Sequence, residues 1–338
     1  MTARLLCLLF ALTTFVACGR ARLPEVELSG GTMGTTFNIV LIAPGDDVAG
    51  DRLKDSIAVT LDRIDALAST WRTDSELAVF NASSTTDWIT VSGELCSLVE
   101  QALEVSRLSD GAFDITVGPL VNLWGFGPEG DVREPPGEKL IEAAMGNVGY
   151  EGLETRCSEP AIRKRRARMY VDLSGWAKGH AVDRLAELLD EYGFRDYLVE
   201  VGGELRVRGH NAENRKWAIA VEAPSTRTRK PHSVLRVTDT SVATSGDYRN
   251  YFDHDGKHYS HTIDARTGRP VEHDLAAVTV VNRSAAFADA MATALLVLGP
   301  EKGPSLAEDL GIASYFLVRN GTGIREMTTT NFELLRQQ

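Results

Sequence analysis

The stretch Tyr197-Leu198-Val199-Glu200-Val201-Gly202-Gly203-Glu204-Leu205-Arg206-Val207-Arg208 decides the fold. Two short β-branched runs flank a pair of glycines, which is a hairpin signal. A two-residue loop can join only antiparallel strands, because parallel strands need a crossover of a dozen residues or more. Helical spacing precedes it over Lys178 to Tyr192. Further strands are predicted at Trp217 to Glu222, Val234 to Val237, Ala277 to Val281 and Ala313 to Val318. Towards the amino terminus, Val26 to Ala43 reads as strand broken by Gly30-Gly31 and Gly34. Val48 to Ser69 places Leu53, Ile57, Leu61, Ile64 and Leu67 on one helical face, and Glu94 to Leu108 forms a second amphipathic helix. Ala285 to Leu298 is helical and closed by Gly299-Pro300, with a short helix at Leu306 to Leu310. This irregular interleaving predicts an α+β fold with mostly antiparallel sheets, and argues against a doubly wound parallel one.

The chain has 338 residues, with 36 Lys and Arg against 47 Asp and Glu, a net charge of −11. An acidic surface is a poor binder of nucleic acid, which needs clustered Lys and Arg. One basic run, Arg163-Lys164-Arg165-Arg166, leads into a predicted strand at Met169 to Leu173 and reads as a solvated hairpin edge. Gly127 to Gly137, rich in glycine and proline, reads as a surface loop.

The first 17 residues have one charge, Arg4, then an apolar run too short to span a bilayer, ending in small residues. That pattern is a secretory signal. Ala17-Cys18 resembles a bacterial lipobox, in which Cys18 would be diacylated and become the first mature residue. Phe15 departs from the Leu usual there, so ordinary signal cleavage stands as the alternative. Residues 18–27 then form a tether, and 28–338 the folded domain. The two other mature cysteines, Cys96 and Cys157, read as buried thiols, although an oxidising compartment permits a disulfide.

Several glycine-rich segments carry unusual polar density: Gly30 to Thr35, Gly111 to Pro119, and Val171-Asp172-Leu173-Ser174-Gly175-Trp176-Ala177-Lys178-Gly179-His180. Glycine lets a backbone approach a ligand closely, and amides at a helix start favour phosphate. None matches a P-loop or a dinucleotide fingerprint, and singly each reads as a tight turn. Tyr259 to Asp264 followed by Arg266-Thr267-Gly268-Arg269-Pro270 places His261 beside Asp264, either as a base with its partner or as a strand ending in a turn capped by Asp264. Asp289 and Thr293 lie four apart on a helix and share a face. They suit a hard cation such as Mg²⁺, or simply a back-bonded Thr.

In order, these segments resemble the FAD:protein FMN transferases, the ApbE-type flavin transferases, from about Gly31 to Phe316. Met33-Gly34-Thr35, Asp74 to Leu77 with Asn81, and Gly111 to Thr116 carry the resemblance, with Trp124 to Gly127, Asp172-Leu173, Lys178-Gly179 and Asp183. Gly202-Gly203-Glu204, Ser260-His261 with Ile263-Asp264, Thr267 to Pro270, and Ala288-Asp289 with Ala292-Thr293-Ala294 complete it. The resemblance implies one large bilobal domain. It also implies an exported enzyme that uses Mg²⁺ and takes FAD as substrate, moving FMN onto a Thr or Ser hydroxyl of a flavoprotein and releasing AMP. The FAD contacts it implies are Met33, Trp71, Ala112, Phe113, Asp114, Asp172, Lys178 and Ile263. The metal ligands are the Gly175 carbonyl, Asp289 and Thr293; Ala292 stands where some members carry a further Asp. His261, with Asp264, is the implied base. The implied acceptors are subunits of membrane redox complexes such as sodium-pumping quinone reductase. The implied location is periplasmic, lipid-anchored, with the inner membrane preferred to the outer. FAD pyrophosphatase activity, giving free FMN and AMP, and a non-catalytic exported flavin-binding lipoprotein are the competing readings.

Overall fold

The computed structural model describes residues 22–42, 50–128, 130, 134–224, 231–248, 250–321 and 323–337. The signal segment and Cys18 lie outside the described residues, as does part of the Gly127 to Gly137 loop.

Eight strands form one sheet, and their spatial order follows the chain: Glu25–Thr32, Thr35–Ile42, Tyr197–Val201, Glu204–Arg208, Thr240–Gly246, Leu275–Asn282, Ala313–Asn320 and Gly323–Thr328. Every neighbouring pair is antiparallel. The Gly202-Gly203 hairpin is present as read, with both glycines at positive φ. Met33 and Gly34 also take positive φ, as a tight two-residue hairpin turn requires. The first strand begins at Glu25, inside the stretch read as tether. Leu275–Asn282 is apolar on both faces because both are covered.

On one face lie three helices. Asp51–Ala68 buries the five residues expected of it, and Ser174–Glu191 packs against the same strands. Ala285–Asp309 covers the centre of the sheet, and Gly93–Leu108 packs against it. The opposite face is closed by a ribbon, Trp217–Glu222 paired with Pro231–Val237, and by Phe332 of the helix Thr330–Arg336. A smaller lobe gathers Leu120, Trp124, Ile141, Phe252 and Ile263 into a core of its own.

Several local expectations are corrected. The helix from Ala285 does close at Gly299-Pro300 as read, since Gly299 takes φ 78° outside the helical range, but a second helix follows at once and runs to Asp309, longer than the Leu306 to Leu310 expected. Proline is tolerated at the first turn of this second helix, where its missing N–H would lack a partner anyway. Met169 to Leu173 forms no regular strand; Tyr170 makes one parallel bridge to Val117. The basic run is not wholly solvated. Ala161–Lys164 is the central strand of a small three-stranded sheet, and Lys164 is fully buried.

The two thiols are also corrected. Cys96 and Cys157 form a disulfide, with their Cα atoms 5.6 Å apart. Cys96 opens the Gly93–Leu108 helix, and Cys157 lies in the turn joining Leu153–Arg156 to Ala161–Lys164. Hydrophobic burial of Cys96 was correctly read, but pairing depends on a sheet that brings together residues 61 apart in sequence. Closing so long a loop restricts the unfolded chain. Reduction, or a Cys96→Ser/Cys157→Ser double variant, is expected to lower stability by about 2–4 kcal/mol, seen as an earlier calorimetric transition in dithiothreitol.

Candidate functional site

The register places the Met33-Gly34 and Gly202-Gly203 turns at the same end of the sheet, because Phe37 pairs with Val201. The Lys178 side chain reaches this end: a methyl at Gly202 would sit 3.0 Å from both Lys178 Cδ and Thr35 Cγ2. The Thr240–Gly246 strand finishes here too, since Gly246 pairs with Ala277 beyond the Val242–Leu205 pair.

Two helices bring the polar groups together. Ser174–Glu191 and Ala285–Asp309 touch at Gly179, where a methyl would fall 2.3 Å from the Ala285 carbonyl oxygen and 2.6 Å from Ala286 Cα. Only glycine permits that approach. Asp183, one turn further on, caps the second helix: its carboxylate accepts from Ala285 N–H at 2.9 Å, Ala286 N–H at 3.1 Å and Ser284 Oγ at 2.8 Å. An acid at a helix amino terminus also opposes the positive end of the helix dipole.

The contact buries Asp289, which accepts from Gly179 N–H at 3.2 Å and from Lys178 Nζ at 3.2 and 3.3 Å. Lys178 Nζ lies 3.4 Å from Glu204 Oε2 as well. Burial alone would lower the lysine pKa, but the charges of Asp289 and then Glu204 outweigh it and hold the ammonium firmly protonated. Burial, aided by Asp289 and opposed by Lys178, pushes Glu204 well above the usual carboxylate range.

Thr293 Oγ1 donates back to the Asp289 carbonyl at 3.2 Å and lies 2.9 Å from Ser245 Oγ. A methyl on Gly175 would stand 3.6 Å from Thr293 Oγ1 and 3.0 Å from the Phe113 ring. Gly175, Thr293, Asp289, Lys178 and Phe113 therefore share one neighbourhood. Gly179 N–H is the donor four residues on from Gly175, so its bond to Asp289 draws on the normal helical partner of the Gly175 carbonyl. Among the described residues no cluster of three His, Cys, Asp or Glu side chains could hold a metal. The donors gathered here are one carboxylate, a hydroxyl and a peptide carbonyl, a hard all-oxygen set suited to Mg²⁺.

His261 is half-buried, its ring edge-on to Phe126. Nδ1 lies 2.9 Å from the Asn250 carbonyl, so Nδ1 carries the proton and Nε2 keeps a lone pair. Burial lowers its pKa and the Lys178 charge lowers it further, against the Asn250 bond and Asp247, so the ring is neutral at pH 7.

Other residues singled out are engaged elsewhere. Asp264 does not orient His261; both its oxygens are clamped at 2.8 Å by Arg266, and its carbonyl accepts from Thr267 and Gly268 N–H. That matches the capped-turn reading: the Asp264 carbonyl takes Thr267 and Gly268 N–H, and its side chain takes Arg266 N–H at 2.9 Å. Asp114 is buried and accepts from Thr116 N–H, Thr116 Oγ1 and Tyr150 N–H, so it shapes its loop. Burial pushes its pKa up despite those bonds. Asp172 accepts from Ser174 N–H at 2.8 Å, just ahead of the Lys178 helix. Ala112 is buried, and the Ile263 side chain belongs to the small lobe's core. Met33 sits in its hairpin turn, and Trp71 is 67% exposed. Sequence reasoning gave no role to Glu204, although its Gly-Gly turn was noted, or to Ser245 and Asp247. Asp247 is clamped by Arg319 at 2.6 Å through both oxygens.

Fold and site together define a class: an antiparallel α+β protein with a glycine-rich site in which a buried lysine–carboxylate cluster lies beside a set of oxygen donors. The chain belongs to the ApbE family, whose model matches residues 33–316. It is 40% identical over 309 residues to the FAD:protein FMN transferase of Vibrio cholerae serotype O1, covering 91% of this chain and 92% of that one. To the FAD:protein FMN transferase of Escherichia coli K12 it is 39% identical over 336 residues, covering 96% and 95%. Among solved structures, the flavin transferase ApbE from Vibrio cholerae superposes with a TM-score of 0.85 at 39% identity, covering 92% of this chain and 99% of that one.

The helix contact yields a test. Gly179→Ala should destabilise the protein by about 1–3 kcal/mol, since backbone must move to admit the methyl. Urea denaturation read by tryptophan fluorescence measures it.

Proposed function

We propose that this chain transfers FMN from FAD to a Thr or Ser hydroxyl of an acceptor flavoprotein, forming a phosphoester and releasing AMP. The enzyme is a flavin transferase by family, and one observation carries the finer reading. Lys178 holds its charge between Asp289 and Glu204, within electrostatic reach of His261, whose Nε2 is free among the described residues.

FAD brings a dianionic pyrophosphate to an acidic protein. Lys178 supplies a fixed positive charge where that group must lie, and the loops of Met33, Ala112 to Asp114 and Asp172 supply a backbone cradle. Asp114 and Asp172 act by holding those loops, since their carboxylates are spent on local amides. The exposed Trp71 offers a face for an aromatic ring, while Phe113 is buried in the main core and supports its loop from beneath. Gly175, Asp289 and Thr293 would hold Mg²⁺, which when bound neutralises pyrophosphate charge and leaves phosphorus open to attack.

His261 Nε2 takes the acceptor hydroxyl proton as its oxygen attacks the FMN phosphorus. The bond from that phosphorus to the bridging oxygen breaks, and AMP leaves with the electron pair. The Asn250 carbonyl fixes the tautomer this needs, and the depressed pKa keeps the lone pair available at neutral pH. Protonation fills that lone pair, so activity falls on acidification. Because the pKa is lowered, the fall comes below the ordinary histidine value of about 6.5.

We also infer export, with Cys18 as lipid anchor and membrane redox subunits as acceptors. The Cys96–Cys157 disulfide supports an oxidising compartment. No helix among the described residues is long and apolar enough to cross a membrane.

Incubation with FAD, Mg²⁺ and an acceptor subunit should add FMN mass to a Thr and release AMP in equal amount; free FMN in its place would favour the pyrophosphatase. His261→Ala should cost about 10²–10⁴ in kcat/KM and remove the acid limb of the pH profile. Full transfer by that variant would refute the base. Asp289→Ala should abolish Mg²⁺ heat in calorimetry.

A further inference from the structure

Lys164 is the one member of the basic run that faces inward, and the functional reading makes no use of it. It is fully buried, and among the described residues no carboxylate pairs with it. Its Nζ donates to three backbone carbonyls: Asn81 at 3.1 Å, Met169 at 3.3 Å and Phe80 at 3.5 Å. An ammonium has three N–H groups and a neutral amine two, so the charged form satisfies all three acceptors. Phe80 and Asn81 belong to the last turn of the helix Glu76–Ala82, whose carbonyl end attracts a cation, and the Phe80 ring lies 5.3 Å from Nζ. Burial pulls the lysine pKa down.

The bonds continue towards the site. The Asn81 side chain, also buried, bridges one peptide completely: Nδ2 donates to the Val171 carbonyl and Oδ1 accepts from Val171 N–H, both at 2.8 Å. Asp172 N–H then donates to the Ile115 carbonyl at 2.7 Å, and the Asp172 carboxylate accepts from the N–H of Ser174, the first residue of the helix that carries Gly175 and Lys178. The segment Met169 to Leu173 has no regular strand ladder to hold it. Beside the Tyr170–Val117 bridge and the Met169 N–H bond to Arg166, its register is held by Lys164 at Met169, Asn81 at Val171 and Ile115 at Asp172.

We propose that Lys164 is a positioning residue: through Met169, Asn81 and Val171 it sets the backbone that presents Gly175 and Lys178 to the FAD pyrophosphate. The proposal rests on the flavin-transferase reading for its ligand, while the backbone column stands without it.

Lys164→Met keeps the volume and removes the donors, and is compared with wild type in two measurements. Hydrogen exchange should show faster deuterium uptake over Val171–Gly175, beyond the strand that carries the substitution. Flavin fluorescence titration should show FAD binding weakened about tenfold, a modest loss for one buried donor set. In turnover, KM for FAD should rise while KM for the acceptor stays unchanged, a split that general destabilisation would not give. Folded Lys164→Met with wild-type FAD affinity, or with uptake confined to Ala161–Lys164, overturns the proposal. Should Lys164→Met fail to fold, Asn81→Ala cuts the column one link later with Lys164 intact. It must reproduce both the uptake and the FAD loss, and normal FAD binding by it overturns the proposal. If wild type binds no FAD, the functional reading has failed, and the exchange data alone decide whether Lys164 orders Val171–Gly175.

Discussion

The site depends on two helices touching backbone to backbone. Where Ser174–Glu191 meets Ala285–Asp309, Gly179 leaves room for Ala285 and nothing else. That proximity lets Asp183 on one helix cap the other, and lets Asp289 on the second take the Gly179 N–H of the first. Lys178 then reaches the Asp289 carboxylate and Thr293 the Asp289 main-chain carbonyl without any loop having to close. A site built on packed helices is held more firmly than one built on loops, which suits chemistry whose main requirement is placement.

Charge explains the rest of the arrangement. Lys178 faces two buried carboxylates, an expensive grouping in a low-dielectric interior unless each charge has a partner. Glu204 answers by holding its proton more tightly than an exposed glutamate, which leaves Lys178 and Asp289 as a balanced pair in place of a net negative cluster. His261 is kept neutral chiefly by burial, and repulsion from the same lysine adds to it. The acidity of the whole chain thus says little about the site, where local geometry sets the sign.

Much of this was legible before folding. The Gly-Gly hairpin at Gly202-Gly203 announced antiparallel pairing, and the apolar stripe from Leu53 to Leu67 announced its helix. Asp289 and Thr293 were visible as a pair because helix periodicity is local. Asp264 was open between partnering His261 and capping a turn, and only the fold chose the turn. Sequence nearness to His261 suggested partnership, but the turn points its carboxylate at Arg266 two residues away. Cys96 and Cys157 were read as separate thiols because pairing across 61 residues leaves no local mark. Lys164 looked like one of four solvated cations, since a strand alternates its faces and composition does not say which residue turns inward.

By itself the sequence determined the fold class, the family and the order of the motifs, because these follow from periodicity, turn chemistry and ordered short patterns along the chain. Only the tertiary structure decided which carboxylate meets Lys178, which carbonyl fixes the tautomer of His261, and which residue of the basic run is buried. Those partners come from elements up to 111 residues apart, and the packing of helix on helix and strand on strand chooses among donors and acceptors that look alike in one dimension.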